Sequence, residues 1–222
     1  MDIFDIIGPV MIGPSSSHTA GAVRLGRVVN KIADGAKLER VIFTLSGSFA
    51  RTYRGHGTDR ALLAGILGYH SWDEEVRDAL DIAAERALQY EFVCQDIPNA
   101  HPNTARIHFT FADGREGEVE GASIGGGNIR VNYVNGMRVE FSGDYSTILI
   151  LHQDRPGVIA NVTHLMREEY PEVNINNFRL SRKERGGDAI MTIELDSGVS
   201  ERVTDDLRAL DDVENALLIK RL

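Results

Sequence analysis

The chain has 222 residues, 42% hydrophobic and 26% charged, with a formal charge of −9 and an isoelectric point near 5.3. That length can bury one large core or two modest ones, and no run of about 18 apolar residues offers a helical membrane span. The negative excess is shared between residues 146–222 and the upstream part, so no basic face for nucleic acid forms.

The opening MDIFDIIG is acidic and lacks the basic start and long apolar run of a secretory signal. A single cysteine, Cys94, excludes an internal disulfide framework and suits a reducing cytoplasm. It also means that this chain by itself cannot ligate an iron–sulfur cluster or a thiolate zinc site. Between Val93 and Gln95, Cys94 reads as a small buried hydrophobe.

Ser15 to Gly35 reads as a helix, with Val23, Val28, Val29 and Ile32 on one stripe. Arg40–Ser46 is a β-branched strand, and Thr58 or Asp59 is placed to cap a helix through Ala61–Leu67. Asp73–Gln89 is predicted as one longer amphipathic helix. Turn signals at Asp113-Gly114 and Asn135-Gly136 then separate strands at 106–111, 117–122, 128–134 and 137–141. Helices first and antiparallel strands later describe an α+β domain over 1–143.

Residues 146–222 follow a cleaner order: strand 147–151, turn 154–157, helix 158–169, strand 173–181, hairpin turn 185–188, strand 189–196, helix 200–210 and strand 213–220. That is the split β-α-β-β-α-β, or ferredoxin-like, arrangement.

The densest polar cluster is Gly13-Pro14-Ser15-Ser16-Ser17-His18-Thr19. One serine is enough to cap the helix that follows, which leaves the others to be explained. A helix N-terminus with several hydroxyls also suits a carboxylate or phosphate, and His18 could move a proton there. Arg54-Gly55-His56-Gly57-Thr58-Asp59 repeats the design: a histidine between glycines in a loop ahead of a helix. Two such loops side by side would form a pocket with two acid–base groups.

Other readings have less support. There is no G-x-S-x-G elbow for a Ser–His hydrolase. Metal held by His18 and His56 would need a third ligand such as His101, His108 or Asp59, without supporting spacing. Ser123-Ile124-Gly125-Gly126-Gly127 is either a backbone anion nest or an ordinary bulge. None of the four lysines adjoins a phosphate-cradling loop, and no Walker A or Rossmann fingerprint occurs. His70, Trp72 and His152 read as packing or surface residues. Asp154-Arg155-Pro156-Gly157-Val158-Ile159 turns into a helix and leaves room for a small ligand. Asn174, Asn176 and Asn177 on the next strand offer amides to an amino acid.

With these residues in view, DRPGVIA at 154–160 within its βαββαβ order resembles an ACT domain, a small-molecule sensor. GPSSSHTAG at 13–21, RGHGTDRA at 54–61, HPNT at 101–104 and SIGGGNI at 123–129 together resemble the beta subunit of bacterial iron–sulfur-dependent L-serine dehydratase. The N-terminal domain of that family is similar to the anion-binding intervening domain of some phosphoglycerate dehydrogenases. The resemblance implies conversion of L-serine to pyruvate and ammonia, using a 4Fe–4S cluster whose cysteines lie on a separate alpha subunit. None of that cluster would be bound by this chain alone.

The resemblance further implies that His18 and His56 are acid–base candidates at the subunit interface. Ser15, Ser16, Ser17 and Thr19 would hold the substrate carboxylate, while Gly55, Thr58 and Asp59 would complete the site around His56. Asp154, Arg155, Pro156, Gly157, Val158 and Ile159, with Asn174 and Asn176, would surround an effector, serine itself or a monovalent cation, between ACT domains paired edge to edge. Two other classes stay open: a stand-alone amino-acid sensor without catalysis, and a metal-dependent hydrolase using His18 and His56.

Overall fold

A computed structural model describes residues 9–222; the acidic MDIFDIIG segment discussed above lies outside the described residues. Two compact units part between Gly136 and Met137, upstream of the division expected near residue 143. No described helix is long and apolar enough to cross a membrane.

The first unit contains α1 (Ala20–Ala33), β1 (Leu38–Leu45), α2 (Gly47–His56), α3 (Thr58–Ile66), a 3₁₀ turn at Glu74–Val76 and α4 (Ala79–Glu85). The strands β2 (Gln89–Cys94), β3 (Thr104–Phe111), β4 (Glu116–Gly125) and β5 (Asn128–Val134) follow. They lie side by side in the order β2-β1-β3-β4-β5. Only β1 and β2 run parallel, which is why three helices fill the chain between them: a parallel return needs a long crossover. Val41, Phe43 and Leu45 of β1 alternate inward and are fully buried.

Helices α1 and α3 pack on each other, and α1 also covers β4 and β5. A Cβ at Gly121 of β4 would stand 2.7 Å from Leu25 of α1. A Cβ at Gly26 would stand 2.1 Å from the Leu62 carbonyl oxygen, and one at Gly65 would stand 2.1 Å from that of Val23. The two helices thus touch backbone to backbone through paired glycines.

Several sequence expectations change here. Helix α1 starts at Ala20, not Ser15, because residues 15–19 close a turn of their own, with Thr19 N–H bonded to Ser15 O and Gly21 N–H to Ser16 O. The loop expected around Arg54–Gly57 is mostly the end of α2. Poor helix formers (Gly47, Ser48, Tyr53, Gly55) conceal it in sequence. Tertiary contacts stabilise it instead: the Pro102 carbonyl accepts the Ser48 and Phe49 N–H groups, and Phe49 is fully buried. Neither Thr58 nor Asp59 caps α3; Gly57, with φ +70, both ends α2 and precedes α3.

The single helix expected over 73–89 is interrupted. It becomes the 3₁₀ turn and α4, then the left-handed Ala87 (φ +55) releases the chain into β2. Cys94 ends that strand and is exposed rather than buried, its thiol hydrogen-bonding to the Ala50 carbonyl at 3.4 Å. An edge strand buries little of its outer side, and its place at the edge is set by pairing with β1 rather than by the residues next to Cys94.

The second unit opens with β6 (Met137–Phe141) and continues with β7 (Ser146–Gln153), α5 (Val158–Glu169), β8 (Ile175–Arg182), β9 (Asp188–Leu195), α6 (Arg202–Arg208) and β10 (Val213–Ile219). The four strands after β6 form an antiparallel sheet in the order β10-β7-β9-β8, the arrangement of a ferredoxin-like βαββαβ domain. Ile148, Ile150, Val158, Val162, Met191 and Leu207 build its core between sheet and helices. Strand β6 packs against β8 and β9, with Arg179 paired to Glu140 and the Ser142 N–H donated to Glu194 at 3.2 Å. These contacts draw the division back to Gly136.

Candidate active site

Two helix starts and one helix end meet around His18. The ring is buried, 9% exposed, in the turn just before α1. Ser48, Thr52 and His56 stand four residues apart along α2 and so share one face. That face is turned to His18: its Nε2 lies 3.1 Å from Thr52 Oγ1 and 3.3 Å from Ser48 Oγ. Phe49 meets the ring edge-on at 5.2 Å, and the His56 ring lies 4.8 Å away, centroid to centroid. On the other side Nδ1 is 3.3 Å from Ser15 Oγ, which also accepts the His18 backbone N–H at 3.4 Å. Ser15 thus serves the histidine turn rather than capping α1, and Thr19, the residue at the N-cap, makes no side-chain capping bond.

His56 opens onto a cleft of about 590 Å³, lined also by Gly13, Pro14, Thr19, Gly55, Gly57 and Asp59. Three arginines, Arg54, Arg60 and Arg77, line it too, with Ile12 and Val76. The arginines make the cleft locally cationic on an acidic chain; in sequence Arg54 and Arg60 stand inside the RGHGTDRA motif without an assigned role, and Arg77, on a separate segment, is not singled out. His56 Nδ1 is buried without a hydrogen-bond partner among the described residues.

Electrostatics at the two histidines are coupled. Burial is the main force holding the His18 pKa below its ordinary value, and His56 nearby adds to it; a hydrogen bond with the Ser48 backbone works the other way. A charge on the neighbouring ring therefore disfavours a proton on His18. Asp59 is pushed upward by burial, with its hydrogen bond from the Arg60 N–H and the charges of Arg60 and Arg54 opposing.

Of the residues singled out in sequence, Thr19, Gly55, His56 and Asp59 share the cleft, and His18 stands directly behind His56. Ser16 and Ser17 are half-buried in the turn ahead of α1. Thr58 is completely buried with its hydroxyl unpartnered, so it faces the interior rather than the cleft. Ser123 is also fully buried, set against Gly21 of α1, and the three glycines after it all have positive φ. Ser48 and Thr52 were missed because α2 was missed; their spacing of four ahead of His56 was the available signal. Among the described residues no group of three or more His, Cys, Asp or Glu side chains could hold a metal ion.

In the second unit the turn at Asp154–Gly157 leads into α5, with Gly157 at φ +96 before the first helical residue. Asp154 is occupied structurally: it accepts the Gly186 N–H at 2.9 Å and Arg182 at 2.5 Å, and those bonds hold its pKa below the usual value. Arg155 pairs with Asp212 at 2.7 Å, Val158 is buried and Ile159 is exposed. Asn174 donates to Asp196 at 2.8 Å and Asn176 is exposed. The register places these asparagines beside Leu195 and Ser146, at the opposite end of the sheet from Asp154. One chain does not bring the two groups together.

Comparison with known proteins places the chain in a family. A family model described as the serine dehydratase beta chain matches residues 1–90, and one described as the AHAS small subunit-like ACT domain matches 148–215. A probable L-serine dehydratase beta chain of Bacillus subtilis (strain 168) is 43% identical over 211 residues, covering 95% of this chain and 94% of its own. The L-serine dehydratase beta chain of Peptoniphilus asaccharolyticus is 39% identical over 199 residues, 89% of this chain and 88% of that one. A D-3-phosphoglycerate dehydrogenase of Bacillus subtilis is 27% identical over 162 residues, 72% of this chain but 30% of that protein. With its mixed α/β first unit, its ACT-like second unit and relatives matched along almost their whole length, the chain belongs to the L-serine dehydratase beta-chain family.

Proposed function

We propose that this chain is the beta component of a cytoplasmic lyase that converts L-serine to pyruvate and ammonia, together with a cysteine-bearing alpha subunit that ligates a 4Fe–4S cluster. The observation that carries the reading is the pair His18–His56, 4.8 Å apart, set at a cleft lined by Arg54, Arg60 and Arg77. Eliminating water from serine requires restraint of the carboxylate and removal of the α-proton. Arginines and the N-terminus of α3 suit the first task. A buried histidine kept neutral by burial and a neighbouring ring suits the second.

The donor set of this chain does not fit a cluster: it has one cysteine, which is exposed, and among the described residues no three or more His, Cys, Asp or Glu side chains gather to hold a metal. Departure of the β-hydroxyl is therefore assigned to the partner. In the second unit, Asp154–Ile159 at the start of α5 would line an effector site, and an effector that also touches Asn174 or Asn176 would have to draw them from another copy paired through its ACT domain.

Anaerobic pyruvate formation from L-serine, with the chain alone and with its co-expressed partner, tests the reading. Activity only in the pair is expected, and alanine at His18 or His56 should cost about 10²–10⁴-fold in turnover. Near-normal rates in both variants would refute the assignment. Serine binding to the chain with no turnover in either preparation would support the sensor reading instead.

A further inference from the structure

The hydrogen-bond chain around His18 decides which ring nitrogen carries the proton. Thr52 Oγ1 stands 2.8 Å from the carbonyl oxygen of Ser48, one helical turn back, and its hydroxyl proton is donated there. Its oxygen can then only accept from His18 Nε2, 3.1 Å away, which is the shorter of the two hydroxyl contacts to that nitrogen. A lone pair on Nε2 would face that occupied oxygen and leave only the Ser48 hydroxyl, at 3.3 Å, as a donor. The other ring nitrogen faces Ser15 Oγ, which already accepts the His18 backbone N–H and has its own proton to give.

From this arrangement we infer that Thr52 is a positioning residue that holds neutral His18 as the Nε2–H tautomer, so that Nδ1, on the Ser15 side, is the nitrogen able to take a proton. The role of Nδ1 in turnover rests on the dehydratase reading, whereas the tautomer does not. The Ser48-Thr52-His56 face of α2 thereby does two things: it fixes the proton of one histidine and carries the other. The carbonyl of Pro102, bonded to the first N–H groups of α2, anchors that face.

The test is nitrogen-15 NMR of histidine-labelled full chain, comparing wild type with Thr52→Val, Thr52→Ser and Ser48→Ala. In wild type, Thr52→Ser and Ser48→Ala, His18 should show a protonated Nε2 and an unprotonated Nδ1. Thr52→Val, which keeps the shape and loses the acceptor, should shift the ring toward the Nδ1–H form. In the assembled enzyme the same variant should lose about tenfold or more in kcat with little change in KM, and serine at position 52 should restore it. A wild-type ring protonated at Nδ1 would overturn the inference. So would a Thr52→Val ring that keeps Nε2–H, or a switch produced by Ser48→Ala alone. Absence of serine turnover in the wild-type pair would count against the dehydratase reading and leave the spectroscopic result to stand or fall separately.

Discussion

Replacing Gly65 with alanine sets two opposed effects against each other. Alanine favours a helix interior over glycine by about 1 kcal/mol, so on an isolated helix the change would stabilise. In the folded chain the new methyl would lie 2.1 Å from the Val23 carbonyl oxygen and 2.8 Å from the Arg27 nitrogen, both backbone atoms of α1. Backbone in the middle of a packed helix does not swing aside. To regain ordinary contact, α1 and α3 must separate by roughly 1 Å, which forfeits a quarter to a half of the dispersion energy along the seam. Overpacking of this kind costs about 1–3 kcal/mol and more when only backbone can yield, so a net loss of about 2 kcal/mol is expected. At roughly 4 °C per kcal/mol, the melting transition of the first unit should fall by about 8 °C in scanning calorimetry. Gly26→Ala makes the reciprocal clash with the Leu62 carbonyl, and the double variant should cost less than the two single losses together, because one separation accommodates both methyls. Widening this seam should also move α1 away from the element that follows His56, and so lower turnover in the assembled enzyme. An unchanged or raised melting temperature in Gly65→Ala would refute the backbone-contact argument.

Further expectations rest on single groups. With the His18 pKa held below 6.5, the unfolded chain takes that proton first as pH falls, so its contribution to stability is full above pH 6.5 and declines below it. His18→Gln should flatten the loss of stability between about pH 7 and 5, and an unaltered profile would contradict the burial argument. Tyr170 behaves in the opposite sense: burial and its 2.5 Å bond to Asp206 push it up to about 12, so its contribution is present below pH 10 and fades as pH climbs toward 12. Tyr170→Phe should remove that alkaline decline in a pH series of melting curves. Native Cys94 should react with a thiol reagent nearly as fast as in denaturant, since it is exposed; strong protection would argue against its place at the end of β2. Asp154→Asn should leave the ACT-like unit folded but speed hydrogen exchange at the Gly186 amide, whose acceptor is that carboxylate.

What could be read in the residues was whatever depends on local pattern. In the second unit the alternation of Ala189, Met191, Ile193 and Leu195, the turn at Asp154–Gly157 and the helix 158–169 identify βαββαβ before any contact is known, because each strand and helix there shows its own period. The motifs that hold His18 and His56 were likewise visible.

Tertiary structure decided the rest. Helix α2 has poor intrinsic propensity and forms because Pro102 accepts its first N–H groups and Phe49 is buried beneath it, neither of which is a local signal. Without α2, Ser48 and Thr52 could not be placed on His18, nor could the three arginines be gathered around one cleft. The strand β2 was concealed for the same reason: its partner β1 is far away in sequence, and the parallel ladder that makes it a strand exists only after the crossover has closed. Asn174 and Asp154 looked like one site when read along the chain, yet antiparallel register carries them to opposite ends of a sheet. Local chemistry is written in residue types and spacing, whereas the grouping of distant side chains is set by which backbones can approach, and here paired glycines and a single proline carbonyl govern that approach.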